Sequence, residues 1–259
     1  MIPAAVRSTR YLATLFLLGT VTTTTGDDPF SVLTGFQQQL SRITSLRATV
    51  KRRQTYRDVR RDAQGVLQYS NSGGVRYEWK SPGHYLFIAT DSILCGINMT
   101  KRCGWRSVPT DNRLRRQVDP LGRLLRLQSI PPEEFAYRGN NDSLLFFTLA
   151  AERRTFCTIG IEPGTLRCRI IERFGEKQTL LEKTVFTYGK KNDTDVLPHT
   201  IIISGLFGTE LSVDTISIVR PNRKAVEKKA FVLPEGITWG KVGSAGCLPQ
   251  EQLHDGSGR

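Results

Sequence analysis

Four of the five cysteines have a spacing that suggests chemistry: Cys95, Cys103, Cys157 and Cys168. The first two flank the turn-forming segment 98–100, and the last two flank 162–164. The alternation of apolar residues around them places all four on apolar strand faces. Two cross-strand disulfides in an oxidising compartment and four buried free thiols are the two interpretations, with Cys247 left over in the tail.

The remaining reactive side chains match no pattern for catalysis or metal binding. No cysteine pair has the C-x-x-C spacing of a zinc site, and the three histidines, His84, His199 and His254, stand outside any such spacing. The motifs G-x-S-x-G and H-E-x-x-H and the phosphate-binding loop do not occur. We therefore expect no catalytic residue, no metal ion and no cofactor, and a binding function rather than enzymatic activity.

Two helix patterns and many strand patterns position these residues. Asp28 and Pro29 begin a helix whose apolar residues recur every three or four positions up to Leu46, and Asp119-Pro120 begins a second helix. Elsewhere the apolar period falls toward two. The predicted strands are 66–69, 75–79, 85–89, 92–97, 102–108, 144–149, 155–161, 166–174, 179–188, 200–204 and 210–219. This order predicts a curved antiparallel sheet of about ten strands, with two or three helices across its apolar face.

Length and composition predict one soluble domain behind an export signal. The 259 residues have a mean hydropathy of −0.29 and 24% charged residues, which excludes a polytopic membrane protein and wholesale disorder. A short apolar run follows Arg7 and Arg10, as in a secretory signal peptide cleaved near Gly26, and an uncleaved anchor is the alternative. We expect residues 1–26 to be the signal peptide, 27–240 a single domain and 241–259 a disordered tail.

The chain remains strongly basic after removal of the signal peptide. Lysine and arginine number 37 against 24 acidic residues, and loss of Arg7 and Arg10 leaves a net charge of +11. Such a charge attracts anionic surfaces, which for an exported protein are phospholipid head groups, lipopolysaccharide or acidic polymers. Nucleic acid is a poor candidate partner because it is seldom present there. A merely solvated basic face is the alternative.

Several segments resemble one family of exported proteins. The segments are 35–50, 65–67, 74–82, 93–94, 197–203 and 231–237. They are similar to periplasmic outer-membrane lipoprotein carriers, the LolA-like proteins, and the likeness is best over residues 30–108. The order of helix, strands, a helix that begins Asp119-Pro120-Leu121, and further strands also matches that family.

The resemblance implies a fold and a set of site residues. The fold is α+β, an unclosed, strongly curved antiparallel β-barrel of about 10–12 strands with two or three α-helices covering the concave face. Its interior would accept acyl chains. Carried over by position, the cavity wall contains Val75, Tyr77, Trp79 and Trp105, and the lid contributes Phe36, Leu40, Leu121, Leu124 and Leu125. Ordinary core packing is the alternative for each of them.

The resemblance also implies a function. It predicts a soluble, monomeric periplasmic carrier that moves the acyl chains of lipoproteins, or other lipids, toward the outer membrane. Its partners would be acylated lipoproteins or lipids, an anionic membrane surface, an inner-membrane transporter and an outer-membrane acceptor. The alternative is an envelope binding or sensing module that uses its basic surface to hold anionic lipid, polymer or a lipoprotein partner.

Overall fold

The computed structural model describes residues 28–56, 59–108, 119–141, 143–151, 155–175, 178–189, 196–207, 210–222 and 224–240. The helices in these ranges are α1 (Pro29–Ser41) and α2 (Pro120–Arg126). The strands are β1 (Ser45–Tyr56), β2 (Val59–Ser70), β3 (Gly74–Ser81), β4 (Tyr85–Ala89), β5 (Leu94–Asn98), β6 (Cys103–Ser107), β7 (Phe135–Asn140), β8 (Leu145–Ala151), β9 (Thr155–Glu162), β10 (Arg167–Phe174), β11 (Leu180–Thr187), β12 (Thr200–Phe207), β13 (Glu210–Asn222) and β14 (Thr238–Gly240). The predicted signal peptide, 1–26, and the predicted tail, 241–259, lie outside the described residues.

The fourteen strands of the described chain form one sheet, in the order β14-β6-β5-β4-β3-β2-β1-β13-β12-β11-β10-β9-β8-β7. All neighbouring strands are antiparallel except β14, which is parallel to β6. The long strands β1 and β13 pair at the middle and join the two halves of the sheet. The sheet is curved and does not close, with β14 and β7 as its outer strands. The predicted unclosed antiparallel barrel is confirmed, with more strands than expected.

Helix α1 begins where the sequence predicts and ends earlier. The Asp28 side chain accepts a hydrogen bond from the backbone N of Phe30 (3.4 Å), and Pro29 follows it at the start of the helix. The helix ends at Ser41 because the chain turns to enter β1. Ile43 and Leu46, which the periodicity assigned to the helix, lie after its end, and both are fully buried.

The concave face of the sheet and the two helices enclose the main core. In β1 every second residue, namely Leu46, Ala48 and Val50, points into it, as the period of two in a strand requires. One continuous apolar cluster includes residues of α1, of α2 and of both halves of the sheet. The helices therefore cover the concave face, as the sequence predicted.

The convex face of β3–β6 is covered by residues 224–240, which we call the C-terminal strap. Phe231 of the strap is buried in a second, smaller apolar cluster that includes Ile88. Arg76 of β3 donates from Nη1 to the carbonyl of Ala230 (2.7 Å), and the guanidinium of Arg106 lies 3.7 Å from the ring centroid of Trp239. The strap ends as β14, so the resemblance of 231–237 to a closing strand corresponds to a 3₁₀ turn and the approach to β14.

Two further findings apply to all the residues that the structure describes. None of the helices that the structure describes has the length and apolar character needed to cross a membrane. Within the same ranges, no group of three or more His, Cys, Asp and Glu side chains is placed to hold a metal ion.

Candidate functional site

A row of residues crosses the concave face perpendicular to the strands. Leu67, Tyr77, Phe87, Gly96 and Trp105 are direct neighbours on the consecutive strands β2 to β6. Directly opposed residues share a face, and the four larger side chains are at most 4% exposed. A methyl group on Gly96 would lie 2.6 Å from Nε1 of Trp105. The glycine therefore provides the space in which the indole ring lies.

The other two predicted wall residues lie beside this row on β3. Val75 and Trp79 stand two positions on either side of Tyr77 and are both 4% exposed. The rings of Trp79 and Tyr77 stack with centroids 5.9 Å apart and an interplanar angle of 9°. The guanidinium carbon of Arg52 lies 5.9 Å from the Trp79 ring, which places Arg52 on the concave side of β1.

The five residues predicted for the lid point into the same core from the helices. Phe36 and Leu40 lie one turn apart on α1, and Leu121, Leu124 and Leu125 lie on α2. None of them is more than 2% exposed. All nine predicted residues belong to the main apolar core cluster. We call these nine residues the lid layer. The structure therefore brings together every apolar site residue that the resemblance implied.

Gln37 fixes α1 to the chain that follows α2. Its side chain is 7% exposed, and its Nε2 donates to the carbonyls of Leu127 (2.9 Å) and Ile130 (2.7 Å). Both bonds join segments about 90 positions apart in sequence. Because a single amide serves two buried carbonyls, the position of α1 depends on the segment after α2.

Buried polar groups hold the start of α2 against β3. Asp119, which is fully buried, accepts a hydrogen bond from the backbone N of Gly122 (2.8 Å) and pairs with Arg126 (3.0 Å). Burial raises the pKa of Tyr77 well above its ordinary value, and the nearby Asp119 carboxylate raises it further. A hydrogen bond with the backbone of Leu121 acts in the opposite direction. The Tyr77 hydroxyl is therefore neutral and contacts the first turn of α2.

Arg123 ties α2 to the other half of the sheet. Its guanidinium forms an ion pair with Glu182 of β11, and Nη2 lies 3.5 Å from Sγ of Cys157 on β9. The side chains of Arg123 and Glu182 are 14% and 17% exposed, so the pair is shielded from solvent more than a surface ion pair. Helix α2 is thus attached to both halves of the curved sheet.

The two predicted disulfides are not formed. Both predicted hairpins are present, but Cys103 lies opposite a residue three positions from Cys95, and Cys168 opposite a residue four positions from Cys157. A disulfide requires Cα atoms within about 7 Å of each other. Cys95, Cys157 and Cys168 are accordingly free thiols.

Cys103 takes part in a different disulfide. Its partner is none of the three free cysteines, and Cys247, the fifth cysteine of the chain, lies outside the described residues. Burial raises the pKa of Cys95 to about 11 and that of Cys168 to about 12. These two thiols are therefore protonated at neutral pH and poorly nucleophilic.

Comparison with solved structures identifies the fold. A LolA superfamily protein from Nitrosomonas europaea is similar with a TM-score of 0.58 and 12% identity, over 77% of this chain and 96% of the other. A domain assigned to outer membrane lipoprotein sorting, from Vibrio parahaemolyticus, is similar with a TM-score of 0.58 and 11% identity, over 78% and 95%. This chain has a LolA-like fold.

A third similar structure, a DUF1329 family protein from Desulfovibrio piger, has a TM-score of 0.58 and 9% identity, over 79% of this chain and 98% of the other. No protein-family model and no curated protein sequence matches the chain. The LolA-like fold is thus recognised by the path of the backbone rather than by sequence identity.

Sequence reasoning missed the polar residues that attach the helices to neighbouring segments and to the sheet of this LolA-like fold. Gln37 had a usable signal, since it lies four positions after Leu33 and next to Phe36, within the buried stripe of α1. Arg123 and Glu182 had none, because they are 59 residues apart and come together only through the curvature of the sheet.

Replacement of Gln37 by methionine tests the attachment of α1. The change keeps the length of the side chain and removes both donors, and each buried carbonyl left without a partner costs about 1–3 kcal/mol. We expect the free energy of unfolding in urea to fall by about 2 kcal/mol or more. Gln38→Met, on the exposed face of the same helix, is the matched control and should change it by less than about 0.5 kcal/mol. Equal losses in both variants would contradict the attachment.

Peptide mapping without reductant tests the cysteine assignment. We expect one linked pair that contains Cys103 and none of Cys95, Cys157 and Cys168. In the folded protein, alkylation at neutral pH should modify the half-buried Cys157 faster than Cys95 or Cys168, since burial keeps the latter two protonated. A linked peptide that contains Cys95 or Cys168 would contradict the strand register.

Proposed function

We propose that the protein is a soluble, exported carrier that binds the acyl chains of lipoproteins or of other lipids between its helices and the concave face of its sheet. The observation that carries this proposal is the lid layer, in which nine apolar side chains from four strand positions and two helices form one cluster. Two solved structures with the same fold, a LolA superfamily protein and a domain assigned to outer membrane lipoprotein sorting, support it.

Binding requires the helices to move outward. The nine side chains of the lid layer are at most 4% exposed, so an acyl chain contacts them only after the helices separate from the sheet. Burial of a large apolar side chain contributes about 1.5–3 kcal/mol, or about 8–15 kcal/mol for the five lid residues. An acyl chain of about 15 methylenes contributes about 12 kcal/mol at about 0.8 kcal/mol per methylene. One acyl chain can therefore replace the contacts that the helices give up.

The polar attachments favour the closed arrangement when no lipid is bound. A hydrogen bond contributes a net of about 0.5–1.5 kcal/mol, so the two bonds of Gln37 and the ion pair of Arg123 with Glu182 add a modest stabilisation to the closed state. This is small beside the apolar terms. The attachments therefore bias the helices toward the sheet without preventing lipid from displacing them.

A donor without a partner indicates which part of the lipid is recognised. Trp105 is 2% exposed, and its indole Nε1 has no hydrogen-bond partner. A buried N–H without an acceptor costs about 1–3 kcal/mol. A hydrocarbon chain cannot remove this penalty, whereas the carbonyl of an acyl ester or amide can accept the bond. We infer that the carbonyl of the acyl group approaches Trp105.

Trp105→Phe tests this assignment, because phenylalanine keeps an aromatic ring and lacks the N–H group. The ligands are a fluorescent peptide with an N-terminal palmitoyl amide and a matched peptide whose hexadecyl chain is attached through an amine, without a carbonyl. We expect the variant to bind the acyl peptide about tenfold more weakly and the alkyl peptide with unchanged affinity. Trp239→Phe, in the strap on the convex face, is the control.

The outcomes of this experiment separate the two claims. If the unmodified protein binds neither peptide, the carrier proposal is wrong. If it binds both and Trp105→Phe weakens both equally, the indole acts through packing alone and the carbonyl assignment is wrong.

Export and delivery to the outer membrane complete the proposal. The predicted signal peptide and the disulfide at Cys103 support an oxidising compartment such as the periplasm. A carrier in the periplasm would receive its cargo from an inner-membrane transporter, act as a monomer and release the cargo to an outer-membrane acceptor.

A second candidate function rests on the outer face of β1. Arg47, Lys51 and Arg53 share this convex face and are exposed, and Arg53 pairs with Asp62 (2.9 Å). Arg52 points to the opposite, concave side. An envelope module that holds anionic lipid, polymer or a lipoprotein partner would use such a surface. For the carrier, the same residues would mediate encounters with a membrane.

Salt distinguishes the two candidates. Exposed charges act through solvent, where screening reaches about 10 Å at 0.1 M salt, so association with anionic vesicles should fade as salt rises and be weakened in the double variant Arg47→Glu, Lys51→Glu. Binding of the palmitoyl peptide should be nearly insensitive to salt and to this variant, because acyl chains carry no charge. A decline of peptide binding as steep as that of vesicle binding would favour the anionic-ligand module over the carrier.

A further inference from the structure

The convex face of β7–β10 contains an open cavity of about 530 Å³. Three half-buried phenylalanines line it, Phe146, Phe156 and Phe174, and the rings of the last two stack with centroids 5.0 Å apart and an angle of 17°. The hydroxyls of Thr148 and Thr158, also in the lining, lie 3.4 Å from each other. No residue of the C-terminal strap lines this cavity, so it lies apart from the covered half of the convex face.

The cavity lies beside the outermost strand of the sheet. In the described chain β7 pairs with β8 alone, and its other side faces no described strand. The backbone N–H and C=O groups on the outer side of such a strand can pair with an added strand. The register of the pairing between β7 and β8 shifts between Tyr137 and Gly139, so the regular part of β7 is Phe135–Tyr137. A methyl group on Gly139 would meet nothing within 4 Å. Among the described residues, space is therefore free above Gly139, which lines the cavity at the end of this edge.

Aromatic side chains are also exposed on the other face of this edge. Tyr137 is 37% exposed and Phe30, at the start of α1, is 38% exposed. Both pack on the buried Phe147, with ring centroids 5.6 Å and 5.9 Å away. An added strand at β7 would thus find apolar surface on both of its faces.

We propose that this edge binds an extended peptide segment of a partner protein, which adds a strand to β7. Successive side chains of a strand alternate between faces, so one apolar side chain of the peptide enters the cavity and its neighbour contacts Tyr137. Arg138 is exposed and is the single charged residue among those that line the cavity. The peptide therefore carries an acidic residue near its apolar pair.

The other possible occupants fit these observations less well. A sugar or a lipid head group would use the cavity and leave the exposed aromatic pair on the concave side without a role. A second copy of the chain, paired edge to edge, would bring two Arg138 side chains together on a protein whose net charge is already +13.

The test uses an array of fluorescein-labelled heptapeptides in which Phe, Val and Asp occupy every arrangement over a Ser and Thr background. We expect at least one peptide to bind the full-length protein and its version with Lys in place of Asp to bind about tenfold more weakly. N-methylation of alternate peptide nitrogens should abolish binding, because it removes the main-chain donors. Hydrogen exchange at the backbone amides of β7 should slow when the peptide is bound.

Protein variants locate the binding site. Phe146→Gln and Arg138→Glu should each weaken the peptide about tenfold, and Leu180→Gln, at an apolar residue of β11 that is 40% exposed, should leave it unchanged. Arg138 is on the surface, so its variant keeps the proposal testable if Phe146→Gln fails to fold. Failure of the whole array to bind, equal binding of N-methylated peptides, or binding of an oligosaccharide or of anionic vesicles that is lost in Phe146→Gln would overturn the proposal.

Discussion

The apolar concave face of the sheet must be kept out of water, and the described chain provides two helices, of 13 and 7 residues, to cover it. The backbones of two short helices cannot fill the space over the concave face. Large side chains do so instead, as in the row that runs from Leu67 through Tyr77 and Phe87 to Trp105, with Gly96 leaving the gap in which the indole lies. The contacts that hold the helices over this face are therefore mostly apolar, and the proposed exchange for an acyl chain rests on this property.

The convex face is covered by the strap in one half of the sheet and carries an open cavity in the other half. Over β3–β6 the strap buries Phe231 and is fixed by Arg76, whose guanidinium bridges the carbonyl of Ala230 and the carboxylate of Glu78. Over β8–β10 the phenylalanines remain half-buried around an open cavity. Part of the outer surface is thus covered by the chain itself, and another part keeps an open, partly apolar cavity.

Sequence patterns predicted the elements better than their ends and registers. Both Asp-Pro helix starts are confirmed, because N-capping depends on local chemistry alone. Strands β1 and β7 are absent from the predicted strands, and the start of β1 was assigned to the first helix because the three-residue spacing of Ile43 and Leu46 fits a helix. The prediction of two cross-strand disulfides was wrong for a different reason. Four residues separate β5 from β6, and this loop length sets which residues are opposed, whereas the sequence pattern indicated only that each cysteine lies on an apolar strand face. The resemblance indicated a closing strand over residues 231–237, whereas the chain there leaves a 3₁₀ turn and approaches β14.

The pairing of β1 with β13 has a consequence for how the protein is made. Lys51 lies opposite Ser217, and Arg76 contacts Ala230 from 154 positions away, so the N-terminal half of the sheet is completed by residues that are synthesised long after it. Contacts between such distant positions form slowly, because the chain loses the entropy of closing a long loop before these contacts stabilise it. A nascent chain that has not yet released β13 presents β1 as an unpaired edge beside an apolar face, a state that aggregates unless it is protected. The topology therefore delays completion of the N-terminal half of the sheet until β13 and the C-terminal strap have been synthesised.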